Sequence, residues 1–172
     1  MDQRAKTCCF TGHRPEKLPW GTDEGDPRCL ELKARLDRAV EEAYDAGMRH
    51  FLCGMARGAD FYFCEAVLKL KRARPDVTLE AAIPWEEQAA RWGERDRDRY
   101  FDLVRRCDRE TMVQRQYSKG CALRRDRYMV DRSARLIAVY SGMLGGTMYT
   151  LTYAMRQGLE TVILDVDAPA GP

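Results

Sequence analysis

The chain has 172 residues, of which 45% are apolar and 33% are charged, and this length and composition predict one globular domain over residues 1–172. Its 29 basic and 27 acidic residues leave a net charge of +2, so no overall field favours nucleic acid or a membrane as a partner. Because no secretory signal is recognised and no apolar run approaches the ~18 residues of a membrane span, we expect a cytoplasmic protein.

The seven cysteines are spaced without any C-x-x-C pair, and the two histidines, His13 and His50, lie far from any paired-cysteine spacing. This pattern is typical neither of a zinc site nor of a disulfide framework. We therefore expect the cysteines to be reduced and mostly buried, and we expect no metal site.

The first predicted elements are a strand, a long loop and a helix. The apolar run Lys6–Thr11 predicts a buried strand, and the Pro- and Gly-rich segment Gly12–Pro27 predicts a loop of the length that often carries function. The helix begins at Pro27, where Asp26 can cap it, and ends at Gly47.

The middle of the chain continues the alternation. A strand, a helix and a strand are predicted at His50–Cys53, Gly58–Arg74 and Val77–Ile83. The highly charged segment Glu86–Cys107 then predicts a helix that Gly93 divides.

The last third begins with a weak strand at Glu110–Val113 and a helix at Leu123–Ser133. The strongest strand signal of the chain, Leu136–Tyr140, follows. It leads through a Gly-rich turn, Gly142–Thr147, into a helix at Thr147–Gln157 that Gly158 closes.

The final strand is predicted at Thr161–Leu164, and the tail Val166–Pro172 is expected to fray. The predicted strands are short and apolar without strict alternation, as buried parallel strands are. Alternating strands and helices of this kind predict an α/β fold, namely a doubly wound, mostly parallel sheet with helices on both faces.

Ligands of open parallel sheets bind beyond the carboxyl ends of the strands. Three segments that follow predicted strands are therefore candidates for a binding site. The turn after Leu136–Tyr140 contains Gly145, Gly146 and Thr147. Its glycines permit close approach, and the amides of the helix N-terminus favour a phosphate. Alternatively, the turn only joins a strand to a helix.

The second segment follows His50–Cys53 and contains Gly54, Arg57, Gly58 and Asp60. Small residues again open a helix at the end of a strand. Asp60 could accept a hydrogen bond from a ribose hydroxyl, or it could only stabilise the N-terminus of its own helix.

The third segment contains Thr11, Gly12, His13 and Arg14 at the end of the first strand. Thr11 and Gly12 could approach a ligand, and His13 and Arg14 could supply positive charge. Trp20, further along the loop, could stack on a base or simply pin the loop to the core. This density of donors at a strand end favours a binding role.

Three stretches spread over nearly the whole chain resemble the YpsA-like proteins of the SLOG superfamily. They read TGHRPEKLPWG, GMARGAD and RYMVDRSARLIAVYSGMLGGTMYTLTYA. The resemblance implies a Rossmann-like fold and a role in binding nucleotides or nucleotide-derived small molecules.

Related LOG-type phosphoribohydrolases carry the motif P-G-G-x-G-T-x-x-E and an upstream arginine. Gly146 and Thr147 match the G-T pair, and Arg125 matches the arginine and could neutralise a phosphate. Thr150 stands where the motif has its glutamate, which disfavours that hydrolase mechanism. The carboxylates that could substitute are Glu16, Asp60 and Asp131.

The superfamily also includes DprA-like DNA-binding proteins, but the near-neutral charge and the lack of a basic stripe predict that nucleic acid is an unlikely partner. Our leading hypothesis is a sensor or regulatory protein for a nucleotide-derived small molecule, with no other cofactor. The alternatives are a nucleotide-processing hydrolase and a protein-interaction module with a vestigial pocket. The sequence leaves enzymatic activity undecided and a homo-oligomer possible.

Overall fold

The computed structural model of the chain describes residues 2–166. Except for Val166, the tail that was predicted to fray lies outside the described residues. Six strands form one sheet, and all of their pairings are parallel. The strands are β1 Thr7–Gly12, β2 His50–Cys53, β3 Thr78–Ile83, β4 Arg109–Met112, β5 Arg135–Tyr140 and β6 Glu160–Asp165. Their order across the sheet is β4-β3-β2-β1-β5-β6.

Five α-helices connect these strands. They are α1 Pro27–Asp45, α2 Ala59–Ala73, α3 Glu94–Arg106, α4 Cys121–Asp131 and α5 Gly146–Arg156. Two short 3-10 turns, Gln3–Lys6 and Pro15–Lys17, flank β1. The helix α1 starts as predicted, because the Asp26 side chain accepts the Arg28 amide and Pro27 occupies the first turn.

The helices pack on both faces of the sheet, as successive side chains of a strand point to opposite sides. Cys8 and Phe10 of β1 belong to the core layer beneath α1, α2 and α3, and the Phe10 ring stacks on Phe63 of α2 at 4.5 Å. Cys9 belongs to the opposite layer, which α4 and α5 cover. The predicted doubly wound Rossmann-like fold is therefore confirmed.

The strand order places a topological switch point between β1 and β5. The chain leaves β1 toward the α1 face and leaves β5 toward the α5 face, so the two connections diverge at the carboxyl ends of neighbouring strands. Such divergence opens a crevice at the edge of an open α/β sheet.

One predicted element is shorter in the structure. The helix expected at Glu86–Cys107 begins only at Glu94, after Gly93 as its N-cap, while residues 86–92 form turns. In these turns Trp92 packs edge-on against Phe61 and Tyr100. Tertiary packing of the tryptophan thus overrides the helical propensity of a charged segment.

A buried polar cluster joins β2, β3, β4 and α4. The Glu80 carboxylate is 2% exposed and accepts hydrogen bonds from His50 Nε2 at 3.0 Å, Tyr128 at 2.8 Å and Thr111 at 3.0 Å. Burial raises the pKa of Glu80, but these hydrogen bonds outweigh it and hold the pKa at about 2.

The seven cysteines are all free thiols, and all but Cys107 are buried. Within residues 2–166, no group of three or more histidine, cysteine and carboxylate side chains is arranged to hold a metal ion. None of the helices in this described part of the chain is long and apolar enough to cross a membrane.

Candidate functional site

A cavity of about 530 Å³ lies at the switch point, beyond the carboxyl ends of β1 and β5. Eight of the residues predicted for the site line it: Thr11, Gly12, His13, Arg14, Asp60, Arg125, Gly146 and Thr147. The four other predicted residues lie behind its walls or beside it: Gly54, Arg57, Gly58 and Gly145. The three predicted segments therefore do converge, but not every residue in them faces the cavity.

His13 links the loop after β1 to the loop after β5. The Ser141 amide donates to His13 Nε2 at 3.1 Å, and the Ser141 hydroxyl lies 2.8 Å from the same nitrogen. Nδ1 lies 3.4 Å from the Thr147 hydroxyl. The ring is 2% exposed. The ring therefore braces the two loops against each other, and a positive charge on His13 stays a prediction.

Arg125 is also buried and tied to its surroundings. Its Nη1 donates to the carbonyls of Gly54 and, at 3.3 Å, Ala82, and its Nε donates to Asp126 Oδ1 at 2.8 Å. Burial lowers the pKa of the guanidinium, but Asp126 and Asp60 together raise it above its ordinary value.

This buried guanidinium explains why residue 54 is a glycine. A Cβ at that position would lie 2.6 Å from Nη1 of Arg125. Gly54 is therefore required by the arginine that packs on it, and not by contact with a ligand.

Asp126 supplies a carboxylate to the cavity that sequence reasoning missed. Its Oδ2 accepts a hydrogen bond from the Thr150 hydroxyl at 2.8 Å, and Thr150 is 1% exposed. Thr150 occupies the position of the glutamate in the LOG-type motif, so α4 provides the carboxylate that this motif places on α5. Asp131, one of the suggested substitutes, instead accepts a hydrogen bond from Tyr153 and is exposed. The only signal in the sequence was the adjacency of Asp126 to Arg125.

Asp60 is a second carboxyl group of the cavity, and it is buried whereas Asp126 is only partly so. Its Oδ2 accepts the Ala56 amide at 3.0 Å, so it stabilises the loop before α2 instead of capping the helix. Burial raises the pKa of Asp60 to about 6, against a smaller opposing effect of Arg125. The group therefore titrates close to neutral pH.

The loop after β2 supports the loop after β1. The Arg57 guanidinium pairs with Glu16 at 2.8 Å and lies over the Trp92 ring, which directs it away from the cavity. Gly58 has a φ of +88°, and a Cβ there would lie 2.9 Å from the His13 carbonyl. Both residues thus fix the position of the first loop.

Trp20 pins the remainder of that loop to the core. The indole is 7% exposed and donates to the Tyr62 hydroxyl at 3.2 Å. It offers no face to a base, so the alternative of an anchoring role is the one that the structure supports.

The N-terminus of α5 presents a cationic edge to the cavity. Among residues 2–166, no group accepts a hydrogen bond from the amides of Gly146 and Thr147. The Lys17 ammonium donates to the Leu144 carbonyl at 3.1 Å, and it lies so near Gly145 that a Cβ there would overlap it. Lys17 lines the cavity and was also missed, because nothing in the loop sequence indicated that it folds back onto α5.

Sequence comparison relates the chain to proteins of similar length. It is 28% identical over 144 residues to the uncharacterized SPbeta prophage-derived protein YoqJ of Bacillus subtilis, and the match covers 76% of this chain and 84% of that protein.

Two solved structures share the fold. DNA processing protein A from Streptococcus pneumoniae matches with a TM-score of 0.62 and 15% identity, over 98% of this chain and 53% of that one. The Helicobacter pylori protein of the same name, studied for its single-stranded DNA binding mode, matches with a TM-score of 0.60 and 14% identity, over 91% and 64%. The chain thus spans between half and two thirds of these structures.

This second structure overturns the prediction that nucleic acid is an unlikely partner. A chain with the same fold binds single-stranded DNA, so the exclusion was wrong. It was based on the net charge, which averages over the whole surface, whereas a single strand can be held by a local set of cationic and aromatic side chains.

The YpsA family, described as the YspA SLOG family, matches residues 8–164, from β1 into β6. This range includes every residue that lines the cavity. The chain therefore belongs to the YpsA family of SLOG proteins.

Proposed function

We propose that the cavity at the switch point binds a nucleotide or a nucleotide-derived small molecule, and that the protein acts as a sensor or regulator of that ligand. The observation that carries the proposal is the juxtaposition, in one cavity of about 530 Å³, of a cationic helix N-terminus with two carboxyl groups, the buried Asp60 and the partly buried Asp126. This volume lies within the range of small-molecule sites, roughly 300–1,000 Å³.

The α5 end of the cavity suits a phosphate. The amides of Gly146 and Thr147 point from the positive end of the helix dipole, and the Lys17 ammonium lies beside them. Arg14 adds a guanidinium to the same cavity. Amides, an ammonium and a guanidinium are donors only, which is the complement of an anion.

The part of the wall that Asp60 and Asp126 form suits a sugar. The carboxyl oxygens of Asp60 and Asp126 can receive hydrogen bonds from hydroxyl groups. Arg125 and Thr150 hold the Asp126 carboxylate in a fixed orientation before any ligand arrives. Preorganisation of this kind lowers the entropic cost of binding.

Thermal denaturation with a panel of nucleoside mono-, di- and triphosphates tests the proposal. A ligand at a hundred times its Kd stabilises a protein by about 2.7 kcal/mol, or roughly 5–10 °C for a chain of this size. The shift should vanish in Gly146→Leu, because a side chain there enters the phosphate site, and should shrink in Lys17→Met.

The matched control is Lys69→Met, which removes an exposed lysine of α2 that lies outside the cavity. It should keep the full shift. A panel without any stabilising nucleotide, or an undiminished shift in Gly146→Leu, would contradict the proposal.

A second candidate function is hydrolysis of an N-glycosidic bond, and the pKa of about 6 at Asp60 favours it. In this reaction a water oxygen bonds to the anomeric carbon and loses a proton, while the bond to the base breaks and the base gains one. A carboxyl group that titrates near neutral pH can supply that proton. Asp126 would stabilise the positive charge that develops on the sugar.

Chromatography after incubation with the same panel separates the two functions. Release of a free base by the wild type, lost in Asp126→Asn, would identify an enzyme. Binding without release of a base would leave the sensor as the function.

A further inference from the structure

A second cavity of about 310 Å³ adjoins the first one. The two share three lining residues, Arg14, Ala122 and Leu123, so only these side chains lie between them. A ligand that passes over these shared residues would reach from the first cavity into the second.

The second cavity, the aromatic groove, is lined by Trp85, Trp92 and Tyr117 in addition to the shared residues. Trp85 and Tyr117 contact edge-to-face at 5.5 Å, and Tyr117 is 66% exposed. An exposed aromatic cluster of this kind offers a stacking surface for a planar ring.

Arg14 stands at the junction of the cavities. Within the described part of the chain, no salt bridge or side-chain hydrogen bond engages its guanidinium, and its charge acts on the carboxyl groups of Glu16 and Asp60. The other arginine of the groove, Arg57, is already paired with Glu16. The charge that can receive an anion at the junction is thus the one on Arg14.

We propose that the ligand contains two nucleosides joined by a phosphodiester. Its terminal phosphate and first nucleoside occupy the first cavity, the linking phosphate contacts Arg14, and the second base lies in the aromatic groove against Trp85 and Tyr117. The inference rests on the proposed function, and it extends that function by defining the class of ligand. Such a ligand is either a free dinucleotide or the end of a single strand.

Isothermal titration of the full chain tests the inference. The titrants are the 5′-phosphorylated dinucleotide of deoxyadenosine and the corresponding 5′-mononucleotide, and the readout is the ratio of their Kd values. Stacking of one base on aromatic side chains changes affinity by about 5-fold to 100-fold. We expect the dinucleotide to bind about tenfold tighter or more, and the ratio to fall toward one in Tyr117→Ala and in Arg14→Gln.

Two substitutions outside both cavities serve as matched controls. Phe101→Ala removes an aromatic side chain that is 62% exposed, close to the exposure of Tyr117, and Arg38→Gln removes an exposed arginine of α1. Both should keep the ratio of the wild type.

The inference is wrong if the wild-type ratio is near one, or if neither Tyr117→Ala nor Arg14→Gln lowers the ratio. In either case the proposed function still stands as long as the mononucleotide binds. Failure of every nucleotide to bind overturns both. If the dinucleotide does bind more tightly, titration with a single strand of about ten nucleotides that has the same 5′ end shows whether the natural ligand is a free dinucleotide or the end of a strand. Affinity equal to that of the dinucleotide indicates a strand end, and much weaker affinity indicates a free dinucleotide.

Discussion

Replacing Gly54 by alanine should destabilise the protein strongly, although Gly54 does not line the cavity. The new Cβ would lie 2.6 Å from Nη1, 2.7 Å from Cζ and 2.9 Å from Nε of Arg125. All three distances are shorter than real Cβ contacts, so either the guanidinium or the backbone must move.

The guanidinium has little freedom to move. A displacement weakens its hydrogen bonds to the carbonyls of Gly54 and Ala82 and to the Asp126 carboxylate. A hydrogen bond to a charged group contributes about 1.5–3 kcal/mol, and overpacking of a core costs about 1–3 kcal/mol. In the opposite direction, alanine lowers the conformational entropy of the unfolded chain, which raises the free energy of unfolding by about 0.4–1 kcal/mol. We expect a net loss of about 2–4 kcal/mol, or a fall in Tm of roughly 5–15 °C.

Chemical and thermal denaturation of Gly54→Ala beside Gly146→Ala measures the effect. At Gly146 a Cβ meets no atom within 4 Å and φ is not positive, so the identical change should leave the stability unchanged or raise it slightly. If Gly54→Ala melted within a degree or so of the wild type, the Arg125 side chain would have to be mobile, and the argument for a preorganised Asp126 would fail.

Three further predictions concern the buried carboxylates and the partner of one of them. The pKa of Asp60 is raised from 3.8 to about 6, so the wild type loses stability as the pH rises from about 4 to about 6, where the unfolded carboxyl ionises and the folded one does not. Asp60→Asn should therefore gain about 2–3 kcal/mol relative to the wild type across this range, and a constant difference in urea titrations at several pH values would refute this. The pKa of Glu80 is lowered from 4.5 to about 2, so the ionised carboxylate stabilises the fold fully above about pH 4.5. Glu80→Gln should therefore lower the free energy of unfolding by about 3 kcal/mol at pH 7. In the same urea titrations this difference should shrink as the pH falls toward 2. Thr150→Val removes the hydroxyl that donates to Asp126, so it should lower the free energy of unfolding by about 1–2 kcal/mol and weaken nucleotide binding. Thr150→Ser keeps a hydroxyl and should retain both the stability and the binding. Equal behaviour of the two variants would show that the hydroxyl is unimportant.

The sequence alone determined the fold class and the edge of the sheet where the cavity lies. Apolar runs such as the one that forms β5, and helix signals such as Asp26 and Pro27, depend on residues only a few positions apart. Glycine turns at strand ends likewise mark the carboxyl edge of a parallel sheet, so the positions of Gly146 and Thr147 in the lining of the cavity could be anticipated.

The tertiary structure decided which side chains meet there. Thr150 reaches Asp126 across 24 residues, Arg125 reaches Gly54 across 71 and Lys17 reaches Leu144 across 127. It also directed Arg57 away from the cavity and made His13 a brace between two loops. Local periodicity cannot supply such pairs, because they exist only once β1 lies between β2 and β5 and the loops from distant parts of the chain share one edge of the sheet.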